Sequence, residues 1–231
     1  MKISIFALLK NPITIWIRWL FIKLYFEHKF TDKNLSIRYL SHFKNCRFGN
    51  FNTLYPEVRL TNVTLGDFTY VAEKSRLTNS DIGKFCSIGS EVLCGLGRHP
   101  SHDFVSTHPI FFSMRKQAQI SFVSDSYFEE SAPIKIGNDV WIGTRAIIMD
   151  GITIADGAIV AAGAIVVNNV PAYAIVGGIP AKVLGYRFDE KNIEHLKAFK
   201  WWDKDVGWLR KNATKFQGIQ ELRTGDQSII D

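Results

Sequence analysis

Three histidines, His99, His102 and His108, lie within one stretch, GLGRHPSHDFVSTHPIFFS, which is also rich in aromatic residues. Imidazole has an ordinary pKa of about 6.5, so a histidine can accept a proton near neutral pH, as a general base must. A single histidine on a loop more often has only a surface or hydrogen-bonding role. That role is expected of the three histidines outside this stretch: His28, His42 and His195.

The three cysteines, Cys46, Cys86 and Cys94, are odd in number and form no C-x-x-C pair. This pattern argues against a disulfide scaffold or a zinc site and favours a reducing compartment, so neither a metal ion nor an extracellular location is expected. Cys94 lies close to the histidine stretch, but its place in the repeat described below predicts a core residue.

Composition is that of an ordinary folded protein, with 46% hydrophobic and 22% charged residues in 231. The net charge of +6 is compatible with a polyanion, a membrane surface or a phosphorylated cofactor. No run of basic residues is typical of a nucleic-acid-binding arm, so a nucleic-acid partner is not expected.

An apolar repeat of six residues must position these side chains. Its late members are Ile136, Ile142, Ile148, Ile154, Val160 and Val166. A spacing of six fits neither a helix nor an ordinary half-buried strand. It fits a chain that turns a corner every six residues, so that three flat faces complete one triangular coil of eighteen. We expect glycines and small residues at the corners, since glycine tolerates a positive φ.

The earlier half carries the same repeat with one step shortened to five, and this defect returns every seventeen residues. One side of each early coil is therefore a residue short. The spacing predicts that Phe48, Leu65 and Ile82 stack on one another.

These patterns divide the chain into three parts. Residues 1–45 form an apolar, helical N-terminal extension. Residues 46–185 form a parallel β-helix, an all-β fold, with an excursion loop over 95–134. Residues 186–231 form a helical tail in which Asp189 caps a helix, and this tail is expected to cover one end of the coil.

The N-terminal extension is strongly apolar over residues 3–26, but Lys10, Arg18 and Lys23 interrupt it before the roughly 18–20 residues that a bilayer span needs. No signal-peptide cleavage site is evident. One apolar stripe is formed by Ile13, Trp16, Leu20 and Leu24. Two interpretations stay open: peripheral membrane contact through residues 1–30, or a helix that covers the first coil or the edge of a trimer. The expected location is cytoplasmic, with the inner face of the membrane included under the first interpretation.

Four stretches carry a family resemblance: DIGKFCSIGSEV, GLGRHPSHDFVSTHPIFFS, the segment from IKIGNDVWIG to GGIPAKVLGYRF, and KAFKWWDKD. Together, over about residues 46–212, they resemble the hexapeptide-repeat acetyltransferases. The branch is the one that contains the streptogramin and chloramphenicol (xenobiotic) acetyltransferases and the sugar O-acetyltransferases of surface-polysaccharide gene clusters. The resemblance implies a left-handed parallel β-helix, acetyl-CoA as the acetyl donor, and a homotrimer with its sites between subunits.

The resemblance also implies site residues. His99, in the pair Arg98-His99, takes the place of the catalytic general base, with His102 as the alternative. Arg98, His108 and Phe111 are assigned to the acceptor pocket. The group that orients the base stays open among Asp103, Glu91 and a backbone carbonyl.

Cofactor contacts are implied along the late coils, at Trp141, Gly143, Ala161 and Gly178, with Lys182 near the phosphates of CoA. The N–H groups of Gly143 and Ala161 are also candidate oxyanion donors. Trp141 could instead be a packing residue, and Lys182 a solvated turn residue.

The leading functional hypothesis is O-acetylation of a sugar hydroxyl in a surface polysaccharide, such as an O-antigen or capsule, or in its precursor. The alternatives are O-acetylation of an antibiotic (a streptogramin or chloramphenicol), N-acetylation of an amino sugar nucleotide, and a non-catalytic β-helix scaffold. The base candidate and the VWIG and GGIPAK elements argue against the scaffold.

Overall fold

The computed structural model describes residues 11–226. The chain divides after Gly185 into a larger and a smaller unit. The larger unit begins with helix α1 (Pro12–Lys29). Its short strands follow in chain order: β1 (Ser36–Ile37), β2 (His42–Lys44), β3 (Arg47–Phe48), β4 (Thr53–Leu54), β5 (Arg59–Leu65), β6 (Tyr70–Val71), β7 (Arg76–Ile82), β8 (Ser87–Ile88), β9 (Leu93–Cys94), β10 (Ile134–Ile136), β11 (Trp141–Ile142), β12 (Ile147–Ile148), β13 (Thr153–Ile154), β14 (Ile159–Val160), β15 (Ile165–Val166), β16 (Ala174–Gly178) and β17 (Ala181–Tyr186).

Strands β1 to β16 stack in parallel into three faces, which confirms the parallel β-helix and agrees with its left-handed form. The first face runs in the order β1-β4-β6-β8-β11-β14-β16-β17. The other two faces share β5 and β7, because each of these seven-residue strands continues around a corner. The second face contains β2, β9, β12 and β15 beside the starts of β5 and β7. The third contains β3, β10 and β13 beside their ends.

Aliphatic anchors from the three faces fill the interior, and most of them are almost completely buried. The predicted stack is confirmed, since Phe48 lies opposite Leu65, and Leu65 opposite Ile82. Successive coils are offset by 17 residues in the early half and by 18 in the late half. The last coil is shorter than predicted, because Ile159 lies opposite Ile175.

The excursion loop does not interrupt this core. Ile82 before the loop lies directly opposite Ile136 after it, and Cys94 lies opposite Ile148. The loop therefore leaves and re-enters at the edge between the second and third faces.

Corners differ from expectation in the early coils, where bulky residues adopt the left-handed backbone. Phe51, Phe68 and Phe85 have φ of 57°, 59° and 58°. Their rings stack with centroid separations of 5.0 and 4.8 Å, which offsets the unfavourable backbone conformation. At another corner the left-handed position is held by a ladder of amides: Asn45, Asn62 and Asn79. The expected glycines hold left-handed corners in the late coils: Gly151, Gly157 and Gly163.

Helix α1 begins at an N-cap, Asn11, whose side chain accepts hydrogen bonds from two backbone N–H groups. One side of the helix packs on the first coil: Trp19 is buried, and the Phe26 ring lies 4.7 Å from that of Phe43. The Glu27 carboxylate accepts a hydrogen bond from the Ile37 N–H (2.7 Å). These contacts confirm that α1 covers the first coil. The opposite side of α1 is exposed.

The smaller unit contains α2 (Glu190–Phe199), α3 (Val206–Lys211) and α4 (Ile219–Asp226). Asp189 caps α2 as predicted, because its side chain accepts a hydrogen bond from the Asn192 N–H (2.8 Å). Over residues 11–226, no helix combines the length and the apolar character that a membrane crossing requires. The first ten residues of the predicted extension lie outside the described range.

Candidate functional site

Both ends of the excursion loop are fixed to one carboxylate on the next coil. Asp150 accepts hydrogen bonds from the Gly97 N–H (2.9 Å, Oδ2) and the Ala132 N–H (3.2 Å, Oδ1). The loop ends are also joined directly, because the Arg98 N–H donates to the Glu130 carbonyl oxygen (2.8 Å). The residues that follow Gly97 therefore start from a defined position on the coil.

His99 is held by two contacts within the loop. Its Nδ1 lies 2.7 Å from the carbonyl oxygen of Thr107, and its ring meets the ring of Phe112 edge-on at 5.9 Å. A carbonyl oxygen can only accept, so Nδ1 must carry the proton and Nε2 is the basic nitrogen. Phe112 is fully buried, whereas His99 is exposed. The arrangement leaves Nε2 able to take a proton from a ligand.

Of the three orienting groups left open by the sequence, the structure shows the backbone carbonyl. Glu91 is engaged elsewhere: its carboxylate lies 2.9 Å from the Arg145 Nε. The hydrogen bond and charge of Arg145 lower the pKa of Glu91, which stays an ordinary surface anion.

A cavity of about 480 Å³ opens beside His99. Its lining is formed by Gly97, Arg98, His99, Pro100, Ser101, His102, Asp103, Phe104, Phe128 and Met149. The Arg98 guanidinium lies over the Phe128 ring, 5.7 Å from its centroid. The structure thus brings together three of the predicted residues, His99, His102 and Arg98, around one cavity with a polar side and an aromatic side.

His108 and Phe111 do not line this cavity. His108 precedes a short 3₁₀ turn (Pro109–Phe111), where its Nδ1 accepts from the Ile110 N–H (3.2 Å). Phe111 packs against Phe122, with centroids 5.7 Å apart. Their assignment to the acceptor pocket stays a prediction.

The predicted cofactor residues lie on a different edge of the coil, between the first and second faces. Trp141, with 55% of its surface exposed, stands beside Ile159 on the first face. Gly143 and Ala161 follow at the corner, and Gly178 (φ 95°) at the end of β16 and Lys182 near the start of β17 lie exposed on either side of the turn between these strands. The late coils therefore bring these residues into one row.

Two oxyanion donors proposed from the sequence are wrong. The Gly143 N–H donates to the Val160 carbonyl oxygen (2.8 Å), and the Ala161 N–H donates to that of Val176 (2.8 Å). Both N–H groups therefore already form the backbone hydrogen bonds that join one coil to the next. Gly143 has a packing reason instead, because a Cβ there would lie 2.5 Å from the Ala162 nitrogen.

Sequence reasoning missed several residues that build the site, among them Thr107, Phe112, Phe128 and Asp150. Asp150 comes two residues after the buried anchor Ile148. A carboxylate at this corner of a continuing repeat is a sequence feature from which its role could have been predicted. The aromatic rings and the Thr107 carbonyl have no such feature, since the loop has no periodicity. Burial raises the pKa of Cys94, and of Cys86, to about 12, so neither thiol is a nucleophile near neutral pH.

Residues 133–168 match the family model "Bacterial transferase hexapeptide (six repeats)". They form a hexapeptide repeat. The chain is also 39% identical over 125 residues to a chloramphenicol acetyltransferase of Agrobacterium fabrum, a match that covers 53% of this chain and 57% of the relative. A galactoside O-acetyltransferase of Escherichia coli K12 is 32% identical over 96 residues, covering 42% and 43%. The chain thus spans about half the length of the curated relatives it matches.

Among solved structures, a hexapeptide-repeat acetyltransferase of Vibrio cholerae aligns with 76% of this chain and 92% of its own, with 20% identity and a TM-score of 0.47. The resemblance to hexapeptide-repeat acetyltransferases is confirmed by the family match and the curated relatives. The repeat lies within the late coils that carry Trp141, Gly143 and Ala161.

Proposed function

We propose that this protein is an acetyl-CoA-dependent O-acetyltransferase that acts on a sugar hydroxyl of a surface polysaccharide or its precursor. The observation that carries the proposal is the exposed His99 at an open cavity, where the contact of Nδ1 with the Thr107 carbonyl leaves Nε2 as the nitrogen that can serve as a base. The two curated relatives are named as acetyltransferases, and their names specify different acceptors.

His99 acts as general base in the proposed reaction. Its Nε2 removes the proton of the acceptor hydroxyl as that oxygen bonds to the acetyl carbonyl carbon, and the C–S bond of the thioester then breaks. The same nitrogen returns the proton to the departing CoA sulfur, so the histidine ends in its starting state. The hydrogen bond from Nδ1 to Thr107 stabilises the imidazolium that forms in between.

Acetyl-CoA supplies the activated acetyl group, and the late coils supply its proposed site. The exposed Trp141 offers an apolar wall, and Gly178 lets a ligand approach the backbone closely. The backbone at Gly143 and Ala161 continues the row, and the exposed Lys182 offers a cation to the phosphates.

We propose a homotrimer, the assembly that the family resemblance implies, and the positions of these two sets of residues support a site shared between copies. The His99 loop leaves the coil between the second and third faces, whereas Trp141 and Gly178 lie towards the edge between the first and second. We propose that the loop of one protomer meets the cofactor row of its neighbour, so that each site is shared between two copies.

A sugar acceptor is favoured by the chemistry of the cavity wall. Arg98, Ser101, His102 and Asp103 present donors and acceptors for hydroxyl groups, and the Phe104 ring offers a stacking surface. His108 and Phe111, farther along the loop, are proposed to complete this pocket in the assembly. Because its three cysteines are free, we propose a cytoplasmic location, where thiols stay reduced.

Acetylation of chloramphenicol is the second candidate, favoured by the 39% identity to a chloramphenicol acetyltransferase. Release of free CoA thiol, followed with DTNB, separates the two over a panel of glycans, oligosaccharides, amino sugar nucleotides and antibiotics. Turnover with sugar hydroxyls and none with chloramphenicol supports the first proposal. The reverse result replaces it with the second. Failure of every acceptor, together with no heat of CoA binding by calorimetry, would rule out both.

A further inference from the structure

Helix α1 exposes a row of large apolar side chains on the side that faces away from the coil. Ile13, Ile17, Phe21 and Leu24 follow one another at spacings of three or four residues, so they share one side of the helix, and Tyr25 adjoins them. Phe21 retains 70% of its surface exposed and Leu24 54%. We call these five residues the apolar row.

Packing among residues 11–226 leaves the apolar row uncovered. The other side of α1 already packs on the first coil through Trp19, Phe26 and Glu27. A helix that is apolar on both sides is normally buried on both sides. The exposed side therefore calls for something that covers it.

Cations accompany the row. Arg18, Tyr25 and Lys29 lie on one flank of α1 at spacings of seven and four residues, and the Lys29 Nζ lies 5.9 Å from the Tyr25 ring centroid. The surrounding chain is basic as well: residues 11–60 contain eight lysines and arginines against three acidic residues. Most of the net charge of the whole chain, +6, thus arises around α1 and the first coils.

Charge extends from the helix onto the coil. His42 on β2 lies near both Arg18 of α1 and Arg59 of β5, and its pKa is lowered by burial first and by these two guanidinium groups second. Arg18 and Arg59 are exposed. Helix α1 therefore carries exposed cations beside its apolar row, and a further exposed cation, Arg59, lies on the adjoining coil.

We propose that α1 docks on an anionic lipid surface, lying in the plane of the membrane. The apolar row enters the boundary between headgroups and acyl chains, while Arg18 and Lys29 contact lipid phosphates. Apolar insertion and cationic attraction together are what peripheral helices need for stable binding. A second copy of the chain is the less suitable occupant, because two such surfaces would bring like charges together.

Docking of this kind places the enzyme beside a lipid-linked glycan, which deepens the proposed function, although the binding itself does not depend on acetyl transfer. The test is flotation of the full chain with vesicles of phosphatidylcholine containing about 30% phosphatidylglycerol, compared with pure phosphatidylcholine. The wild type should float with the anionic vesicles at low salt and be released as salt is raised.

Two sets of variants distinguish the contributions. The double variant Phe21→Ser/Leu24→Ser should lower the partition coefficient at least about tenfold. The matched control Ile120→Ser changes a loop residue of equal exposure, 54%, and should bind like the wild type. Arg18→Gln and Lys29→Gln should each weaken binding roughly fivefold and reduce its salt dependence.

Light-scattering mass and thermal midpoint are measured on the same samples. The proposal is overturned if the wild type does not float with anionic vesicles or if Phe21→Ser/Leu24→Ser binds as well as the wild type. It is also overturned if that variant changes the oligomeric mass instead, because a second copy would then cover the row. Turnover of a soluble acceptor should be equal in the wild type and the α1 variants, so a failure of docking and a failure of the proposed acetyl transfer give different results.

Discussion

The Nδ1 atom of His99 lies 2.7 Å from the carbonyl oxygen of Thr107, eight residues along the same loop. Because the carbonyl has no proton to give, this single contact decides which ring nitrogen is basic. It also uses a main-chain group, which substitution at position 107 does not remove. The buried ring of Phe112 holds the imidazole edge-on at the same time. The tautomer and orientation of His99 are therefore set by the loop before any ligand binds.

Replacement of His99 by asparagine tests its role as a base. The amide can still donate to the Thr107 carbonyl, so the loop should keep its conformation and the thermal midpoint should stay close to that of the wild type. The variant has no group that can take the hydroxyl proton, so kcat should fall roughly 10²–10⁴-fold. Steady-state kinetics with the best acceptor measure this.

The matched control is His28→Asn, an exposed histidine of α1, which should keep the wild-type kcat with a soluble acceptor. Retention of activity by His99→Asn would remove His99 from the reaction and turn attention to His102 on the same cavity.

The fold could be predicted from the repeat, because the number of residues between apolar positions in the sequence is the number that each side of the coil requires. Every inward position must bear an apolar side chain. The constant spacing of Phe48, Leu65 and Ile82 in the sequence therefore predicts that they stack on successive coils. The corners were less accessible, since ring stacking allows Phe51 and Phe68 to occupy a backbone conformation that glycine was expected to hold.

In the candidate site, too, some residues could be predicted from the sequence and others could not. His99 and His102 stand out by residue type, because imidazole can act as a base, whereas the choice of His99 and the role of Arg98 came from the family resemblance. The contacts that orient them could not be predicted, since the Thr107 carbonyl has no signature in a sequence. The N–H groups of Gly143 and Ala161 cannot serve as oxyanion donors, because both form the backbone hydrogen bonds that join successive coils.

Asp150→Ala should loosen the excursion loop. The carboxylate accepts from Gly97 and Ala132, and each hydrogen bond to a charged group contributes about 1.5–3 kcal/mol. Its removal should speed amide hydrogen exchange at these two residues and lower kcat about tenfold, because the His99 ring is then less well positioned. Asp150→Asn keeps one acceptor oxygen, so its exchange rates and its kcat should lie between those of the wild type and of Asp150→Ala.

Exchange measured by mass spectrometry on loop peptides checks this prediction. The control is Asp125→Ala, which removes an exposed carboxylate that accepts a hydrogen bond from the Ser124 hydroxyl. It should leave exchange at residues 97 and 132 unchanged. Unchanged exchange at residues 97 and 132 in Asp150→Ala would show that other contacts fix the loop.

Gly143→Ala should destabilise the coil. The added Cβ would lie 2.5 Å from the Ala162 nitrogen, a backbone atom that cannot move without disturbing the backbone hydrogen bonds that join successive coils. We expect a loss of about 2 kcal/mol or more in the free energy of unfolding. Gly185→Ala is the matched control, because no heavy atom lies within 4 Å of its added Cβ. Its effect should stay within about 0.5 kcal/mol, and equal stability of the two variants in urea would contradict the packing argument.

Lys182→Ala tests the cofactor row. Lys182 is exposed, so its interaction with a phosphate is screened by water and ions and should be worth up to about 1 kcal/mol. The KM for acetyl-CoA should therefore rise by up to roughly fivefold at low ionic strength, with kcat unchanged, and the difference should shrink as salt is added. Lys182→Arg should restore most of the affinity. Lys211→Ala removes an exposed cation from α3 and serves as the control. A KM that is the same in Lys182→Ala and the wild type at low salt would place the phosphates away from the turn between β16 and β17.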